Sequence, residues 1–481
     1  MQNLWSLTGR GIAVSALALA LTACQSMRGP EPVAQASIPS SYTATATDTS
    51  VAEQGYKDFF ADQRLLQVLD MALNNNRDLR TATLNIQRAQ QAYQITENNQ
   101  LPTIGASGSV LRQDTLSTTK PVTSYNVGLG VTAYELDFWG RVRSLKDNAL
   151  DSYLATQSSR DATQIALIGQ VAQAWLNYSF ANANLKLADQ TLKTQLESYN
   201  LNKKRFDVGI DSELPVRQAQ ISVETARNDV ANYKTQVAQA QNLLNLLVGE
   251  QVPSALLPTQ RVTRITNTTA FGAGLPSDLL NNRPDIRTAE YRLSAAGANI
   301  GAAKARLFPS ISLTGNAGYA STDLSDLFKS GSFVWAVGPS IDLPIFDWGT
   351  RQANIKISET DQQIALADYE KSIQSAFREV NDALAVRQNI GDRLAAQKRL
   401  VDATNTTYKL SNARFRAGID NYLTVLDAQR TSYAAEQGLL LLEQANLNNQ
   451  VELYKSLGGG VKTNTSDVTS QPASSAERKA Q

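Results

Sequence analysis

Histidine is absent from all 481 residues, and cysteine occurs once, at Cys24. Together these absences exclude a Ser-His-Asp triad, a His-Glu-x-x-His helix, a Cys/His zinc site and any internal disulfide. Glycine-rich phosphate loops are missing too, so neither a nucleotide cofactor nor a metal is expected. Charge of one sign is also lacking. Lysine plus arginine number 45 and aspartate plus glutamate 44, and Arg10 is the one charged residue before Cys24, so the chain from there on is formally neutral. A neutral chain without a basic stripe cannot offset a phosphate backbone, which argues against nucleic acid as a partner. What survives for an enzyme is carboxylate chemistry, with Glu135 and Asp137 as the pair to examine, although carboxylates near a sheet end are usually solvated. Beyond residue 23 there is no apolar run of about 18 residues, so no helix is expected to cross a membrane.

What is present begins with residues 1–23, MQNLWSLTGRGIAVSALALALTA, one basic residue followed by a short apolar run, which reads as a secretory signal peptide. Leu21-Thr22-Ala23-Cys24 resembles the lipobox of bacterial lipoproteins. That resemblance implies that Cys24 becomes the first residue of the mature chain and carries acyl groups. It also implies that Gln25, not being aspartate, releases the protein to the outer membrane. Residues 24–60 are then a lipidated, extended N-terminal segment.

The rest is a duplication. RFDVGIDSEL, Arg205 to Leu214, returns as RFRAGIDNYL, Arg414 to Leu423, and a shift of about 207 to 209 positions also aligns LNNNRDLRTA (Leu73 to Ala82) with LNNRPDIRTA (Leu280 to Ala289). With nearly the same shift, LDFWGR (Leu136 to Arg141) meets IFDWGT (Ile345 to Thr350). Repeat 1 covers residues 61–249: a helix, a β-hairpin over 103–137, a long helix over 140–207 and a helix over 212–248. Repeat 2 covers 277–459 with a helix, a hairpin over 310–344, a long helix over 349–416 and a helix over 421–457. A proline-bearing linker, 250–276, joins them, and a polar tail, 460–481, reads as disordered.

Proline is absent from Val122 to Leu214 and from Ile345 to Gln471, which leaves room for uninterrupted helices of roughly 100 Å. Leu185, Leu192, Tyr199 and Phe206 fall seven apart, as do Leu394, Val401, Tyr408 and Phe415, a spacing that implies left-handed supercoiling. The flanking positions are rich in Ala, Asn, Gln, Ser, Thr and Lys, which suits a helical wall wetted on two sides better than a solid bundle. The glycines Gly209 and Gly418 are placed to stop the long helices in the left-handed conformation, and Asp211-Ser212 and Asp420-Asn421 to cap the next ones. Each phrase is therefore a helix-hairpin tip. Trp139 and Trp348 stand where strand becomes helix and read as core of that junction rather than as an interfacial belt.

Strict alternation marks the strands. Tyr125, Val127, Leu129, Val131 and Ala133 alternate with smaller or more polar neighbours, and Phe333, Trp335, Val337, Pro339 and Ile341 do the same. Each run is about ten residues, long enough for a tilted strand to cross hydrocarbon. If the strands cross a membrane, four cannot close a cylinder, so the barrel has to be shared between chains; on pattern alone a small soluble β-domain beside helices is the other reading. Two copies give about eight strands and no useful bore, whereas three give about twelve and an open lumen.

LTAC, NNRPDI, FDWG, RFRAGIDNYLTVLDAQR and LYKSLGGG together resemble the outer-membrane factor family, the exit ducts of Gram-negative efflux systems. The resemblance covers nearly the whole mature chain. It implies an α+β membrane protein, a homotrimer whose twelve-stranded transmembrane β-barrel, four strands per chain, continues into a long α-helical coiled-coil barrel. It implies as partners outer-membrane lipid, an inner-membrane RND drug/proton antiporter and a periplasmic membrane-fusion adaptor that grips the hairpin tips. Val208, Gly209, Ile210 and Asp211 and their counterparts Ala417, Gly418, Ile419 and Asp420 are the docking candidates, though helix capping accounts for the same glycines. In the family a leucine and an aspartate one turn apart pinch the periplasmic end shut, and Leu423 and Asp427 match them here. From the residues alone these are equally a buried leucine beside a solvated aspartate. Leu214 repeats the leucine, but Gln218 replaces the aspartate, so an acidic ring comes from one half alone. Thr424 stands where some members carry a second acidic ring.

The function expected is passive export of antibiotics and other small amphiphilic compounds through the outer membrane, as the last component of a tripartite pump, with no chemistry and no cofactor. An exit duct for secreted polypeptides and a periplasm-spanning coiled-coil lipoprotein scaffold are the alternatives.

Overall fold

The computed structural model describes residues 27–30, 32–35, 54–114, 121–266 and 282–459. Cys24, the signal peptide and the tail 460–481 lie outside the described residues, as does part of the linker. Three short helical segments open the chain: α1 (Tyr56–Phe59), α2 (Gln63–Asn75) and α3 (Arg77–Asn98). Strands β1 (Ile104–Gln113) and β2 (Val122–Glu135) follow, then α4 (Arg141–Asp207) and α5 (Glu213–Val248). The second half runs through α6 (Pro284–Ala305), β3 (Ser310–Ser321), β4 (Phe333–Asp342), α7 (Thr350–Arg416) and α8 (Tyr422–Ser456). Helices α4 and α7 are both 67 residues long, about 100 Å each. Among the described residues no helix is long and apolar enough to span a membrane.

Two compact units divide the chain. The first contains Leu84–Gln157 and Thr288–Lys371, with the described residues up to Gln35. Its sheet is an antiparallel meander in the order β1-β2-β3-β4, so β2 and β3, one from each repeat, pair with each other. Cross-strand partners share a face. The register therefore gathers Val110, Leu129, Tyr319, Trp335, Val337 and Ile341 on one side and mostly small or polar residues such as Ser107, Asn126, Gly318 and Ser340 on the other. A bulge between Val131 and Tyr134, where Ala133 takes φ 52°, shifts the phase near the end of β2. Trp139 lies over Phe308 with centroids 4.7 Å apart, and its indole N–H donates to the Pro309 carbonyl at 2.8 Å. Trp348 does not fill a core: it is 88% exposed and meets only the edge of Phe346. The exchange of Asp137-Phe138 for Phe346-Asp347 ahead of the tryptophan accompanies the difference between the two junctions.

The second unit comprises the described parts of Ala36–Thr83, Ser158–Arg287 and Ser372–Gln481. Its core lies around the middle of α4, with Ile168, Val171, Trp175 and Phe180 fully buried, and reaches Phe59, Phe60 and Tyr454. Trp175 donates to the Leu256 carbonyl, and Tyr454 lies 4.6 Å from the ring of Phe59, centroid to centroid. Further along α4 the most buried heptad is not the large apolar stripe read from the sequence. Ala181, Ala188, Gln195 and Asn202 are buried, whereas Leu185, Leu192 and Tyr199 are half-buried and Phe206 is exposed. The same offset recurs in α7, where Ile390, Thr404 and Ser411 are buried and Gln397 is half-buried. Mostly small or compact polar side chains therefore hold the enclosed positions, and the large apolar ones lie beside them.

Each repeat clasps its own beginning. Asn76 donates from its amide to the Leu247 carbonyl at 2.7 Å, and Arg283, its counterpart, donates to the Ser456 carbonyl at 2.8 Å. Both acceptors sit at the C-terminal end of the repeat's last helix, where carbonyls lack helical partners. Gly249 and Gly458 then turn the chain with φ of 84° and 78°. A Cβ there would stand 2.4 Å from the Asn75 carbonyl oxygen or 2.7 Å from that of Asn282. Alanine at either position should cost about 2 kcal/mol for the left-handed backbone and more for the clash. Gly209→Ala, equally left-handed but with nothing within 4 Å, should cost less. Denaturant midpoints of the three variants check the ranking.

Candidate functional site: the helix-hairpin tips

In both tips the chain leaves a long helix through a doubly bonded turn. Gly209 donates to the Phe206 carbonyl at 2.9 Å and Ile210 to that of Arg205 at 2.8 Å; Gly418 and Ile419 repeat this with Phe415 and Arg414 at 2.9 and 3.0 Å. With φ of 76° at both glycines, this is the Schellman arrangement. Asn421 caps α8 by accepting from the Thr424 N–H, whereas Ser212 makes no such side-chain bond to α5. The two aspartates do not cap. Asp211 accepts from Arg205 Nε at 2.5 Å, and Asp420 accepts from Arg414 Nε at 2.6 Å and from its terminal nitrogen at 3.0 Å. The repeated Arg-Phe-x-x-Gly-Ile-Asp phrase thus encodes an ion pair across the turn. The sequence reading missed it because a spacing of six has no meaning inside a helix and acquires one only after the left-handed residue.

Val208, Ile210 and Ile419 are exposed apolar residues, and Ala417 is exposed beside them. Behind the tips Phe415, Tyr422, Val425, Leu426 and Ala219 form a buried cluster flanked by Tyr199, Leu201 and Tyr408. The guanidinium of Arg205 lies 5.1 Å from the Phe415 ring centroid, joining the first tip to the second. Burial pushes the Tyr422 phenol up to about 12, so it remains a donor at neutral pH.

Packing of that cluster turns the opposite stripe of α8 outward. Leu423 is 56% exposed and Asp427 is exposed, one turn apart on the same face. On α5 Leu214 is 64% exposed and Gln218 is half-buried. Thr424 is engaged by Asn421 through both its N–H and its hydroxyl. Elsewhere, Glu135 is held by Arg141, and Asp137 accepts from the N–H groups of Val142 and Arg143 at 3.0 and 2.8 Å. Those carboxylates are structural ligands of a helix start rather than an acid–base pair. No group of three or more metal-ligating side chains occurs among the described residues.

Each repeat thus contributes one long helix ending in such a tip and two strands of the four-stranded antiparallel sheet. The profile of the outer membrane efflux protein family matches residues 68–250 and again 275–459. The chain belongs to that family. It is similar to the probable efflux pump outer membrane protein TtgC of Pseudomonas putida, 44% identical over 89% of each chain. It is 38% identical to the cation efflux system protein CusC of Escherichia coli over 92% of this chain and 98% of that one. Its fold matches the open state of the MtrE outer membrane channel of Neisseria gonorrhoeae with a TM-score of 0.83 at 38% identity, covering 91% and 98% of the two chains. This efflux protein is accordingly an outer-membrane exit duct and not an enzyme.

The hydrogen bonds from Arg414 hold the Asp420 carboxyl below the usual carboxylate range. A carboxyl depressed in the folded state contributes stability that is complete above its unfolded value and is lost as pH falls through the folded one. Protection of the Ile419 amide against hydrogen exchange should therefore be flat down to about pH 5 and decline below about pH 4. In Asp420→Asn it should be low and lack this dependence.

Proposed function

We propose that three copies of the chain close one twelve-stranded barrel in the outer membrane, continuous with a coiled-coil barrel of helices, and conduct antibiotics and other small amphiphilic compounds outward. The observation that carries this reading is the sheet. Its apolar face bears exposed Leu129, Trp335, Val337 and Ile341, its other face is small and polar, and β1 and β4 have no partner along their outer edges among the described residues. In hydrocarbon every strand edge has to be paired, and another copy of the same sheet supplies the pairing. Ten residues of β4 extend about 33 Å, which at the usual tilt spans an apolar band of roughly 25 Å. Aromatic residues flank that band: Tyr319, Phe328 and Phe333 at one end, Phe346 and Trp348 at the other. Lipid on Cys24 would add an anchor in the same membrane.

Leu423 and Asp427, both bare on one face of α8, are assigned as rings around the axis that narrow the periplasmic end, with Leu214 and Gln218 beside them. The tips, Val208 to Asp211 and Ala417 to Asp420, dock a periplasmic adaptor that links the duct to an inner-membrane RND antiporter. Exposed apolar side chains on a rigid, doubly bonded turn support that assignment.

Single-channel recording in a lipid bilayer tests the duct and the gate together. The parent should conduct, and the double variant Leu423→Ala, Asp427→Ala should conduct more. A silent parent would remove the duct, and equal conductances would remove the gate. Native mass spectrometry of the lipid-embedded protein should give three chains per particle; a lone chain would overturn the shared barrel.

A further inference from the structure

Behind the two tips lies a cleft of about 470 Å³ that the duct reading leaves unused. Its walls come from the last turns of α4, the last turns of α7 and the first turn of α8. Leu201, Phe415 and Val425 give it an apolar floor, and Tyr408 and Tyr422 add two phenols. Two guanidiniums, Arg205 and Arg416, face one carboxylate, Glu197. Arg205 pairs with Asp211, whereas Arg416 makes no ion pair among the described residues. Tyr422 carries the second, independent observation. The residue is 3% exposed, yet its hydroxyl has no hydrogen-bond partner. A buried donor without an acceptor costs free energy comparable to a lost hydrogen bond, and a ligand oxygen would remove that cost.

The volume suits a small organic molecule, the aromatic walls suit a flat apolar body, and the surplus of donors suits an oxygen anion. We propose that this cleft is a binding site for small aromatic carboxylates, whose ring lies among Leu201, Tyr408 and Phe415 and whose carboxylate accepts from Tyr422 and Arg416. Such a ligand ties the end of α4, in the first hairpin, to α7 and α8, in the second. The site is complete within one chain and does not depend on conduction.

Calorimetric titration of the full chain in lipid nanodiscs with naphthoate tests it, with naphthamide as the neutral isostere. Naphthoate should bind saturably with one site per chain, and more tightly than naphthamide. Tyr422→Phe, which keeps the ring and deletes the unpartnered hydroxyl, and Arg416→Gln, which alters an exposed side chain, should each weaken naphthoate by about tenfold. Leu441→Ala, an exposed position outside the cleft, should bind as the parent does. Equal affinity for the two probes, unchanged affinity in both cleft variants, or absence of saturable binding would each overturn the proposal. Because heat of binding is read rather than current, a failed duct and a failed site give different results.

Discussion

In the proposed barrel a strand edge facing hydrocarbon has to find a partner, and the reading of the sheet follows from that requirement. Four strands leave two edges open, at β1 and β4, and each unpaired backbone group in lipid costs several kcal/mol. The duplication doubles a hairpin, yet two hairpins still cannot close a cylinder. The apolar face and the small, polar face are continuous across β2 and β3, the point where the repeats join. In the proposed barrel, continuity across that join lets further copies of the sheet extend the same two faces.

How much of this could be read from residue types alone varied with the kind of signal. Strand alternation and the tip glycines were legible because a period of two and a left-handed residue each have few alternative meanings. The helical seam was not. Hydrophobicity favoured Leu185, Leu192 and Tyr199, but Ala181, Ala188, Gln195 and Asn202 are the ones enclosed, and hydropathy alone does not rank an asparagine above a leucine. Trp348 misled for the opposite reason: a large ring suggests a core, and here it stands bare. The Arg205–Asp211 and Arg414–Asp420 pairs were invisible until the turn brought them together. Leu423 and Asp427 could be singled out only by resemblance, because an exposed leucine carries no label of its own.

The clasps show what duplication preserves. Position 76 and its counterpart 283 hold different residues, an amide and a guanidinium, yet both reach the same carbonyl in their own repeat. The guanidinium does more, since Arg283 also pairs with Asp285 and with Glu379 of α7. A buried cation needs those partners, and the first repeat avoids the requirement by using a neutral group. Geometry has been kept while chemistry drifted.

One consequence concerns the equal length of α4 and α7. Both count 67 residues between a glycine at the start and a glycine at the tip, so each helix acts as a ruler for the other. Removing a single heptad from one alone would keep its seam in phase yet leave it about 10 Å shorter than its counterpart. A change of length that keeps the two helices equal needs the same edit in both repeats.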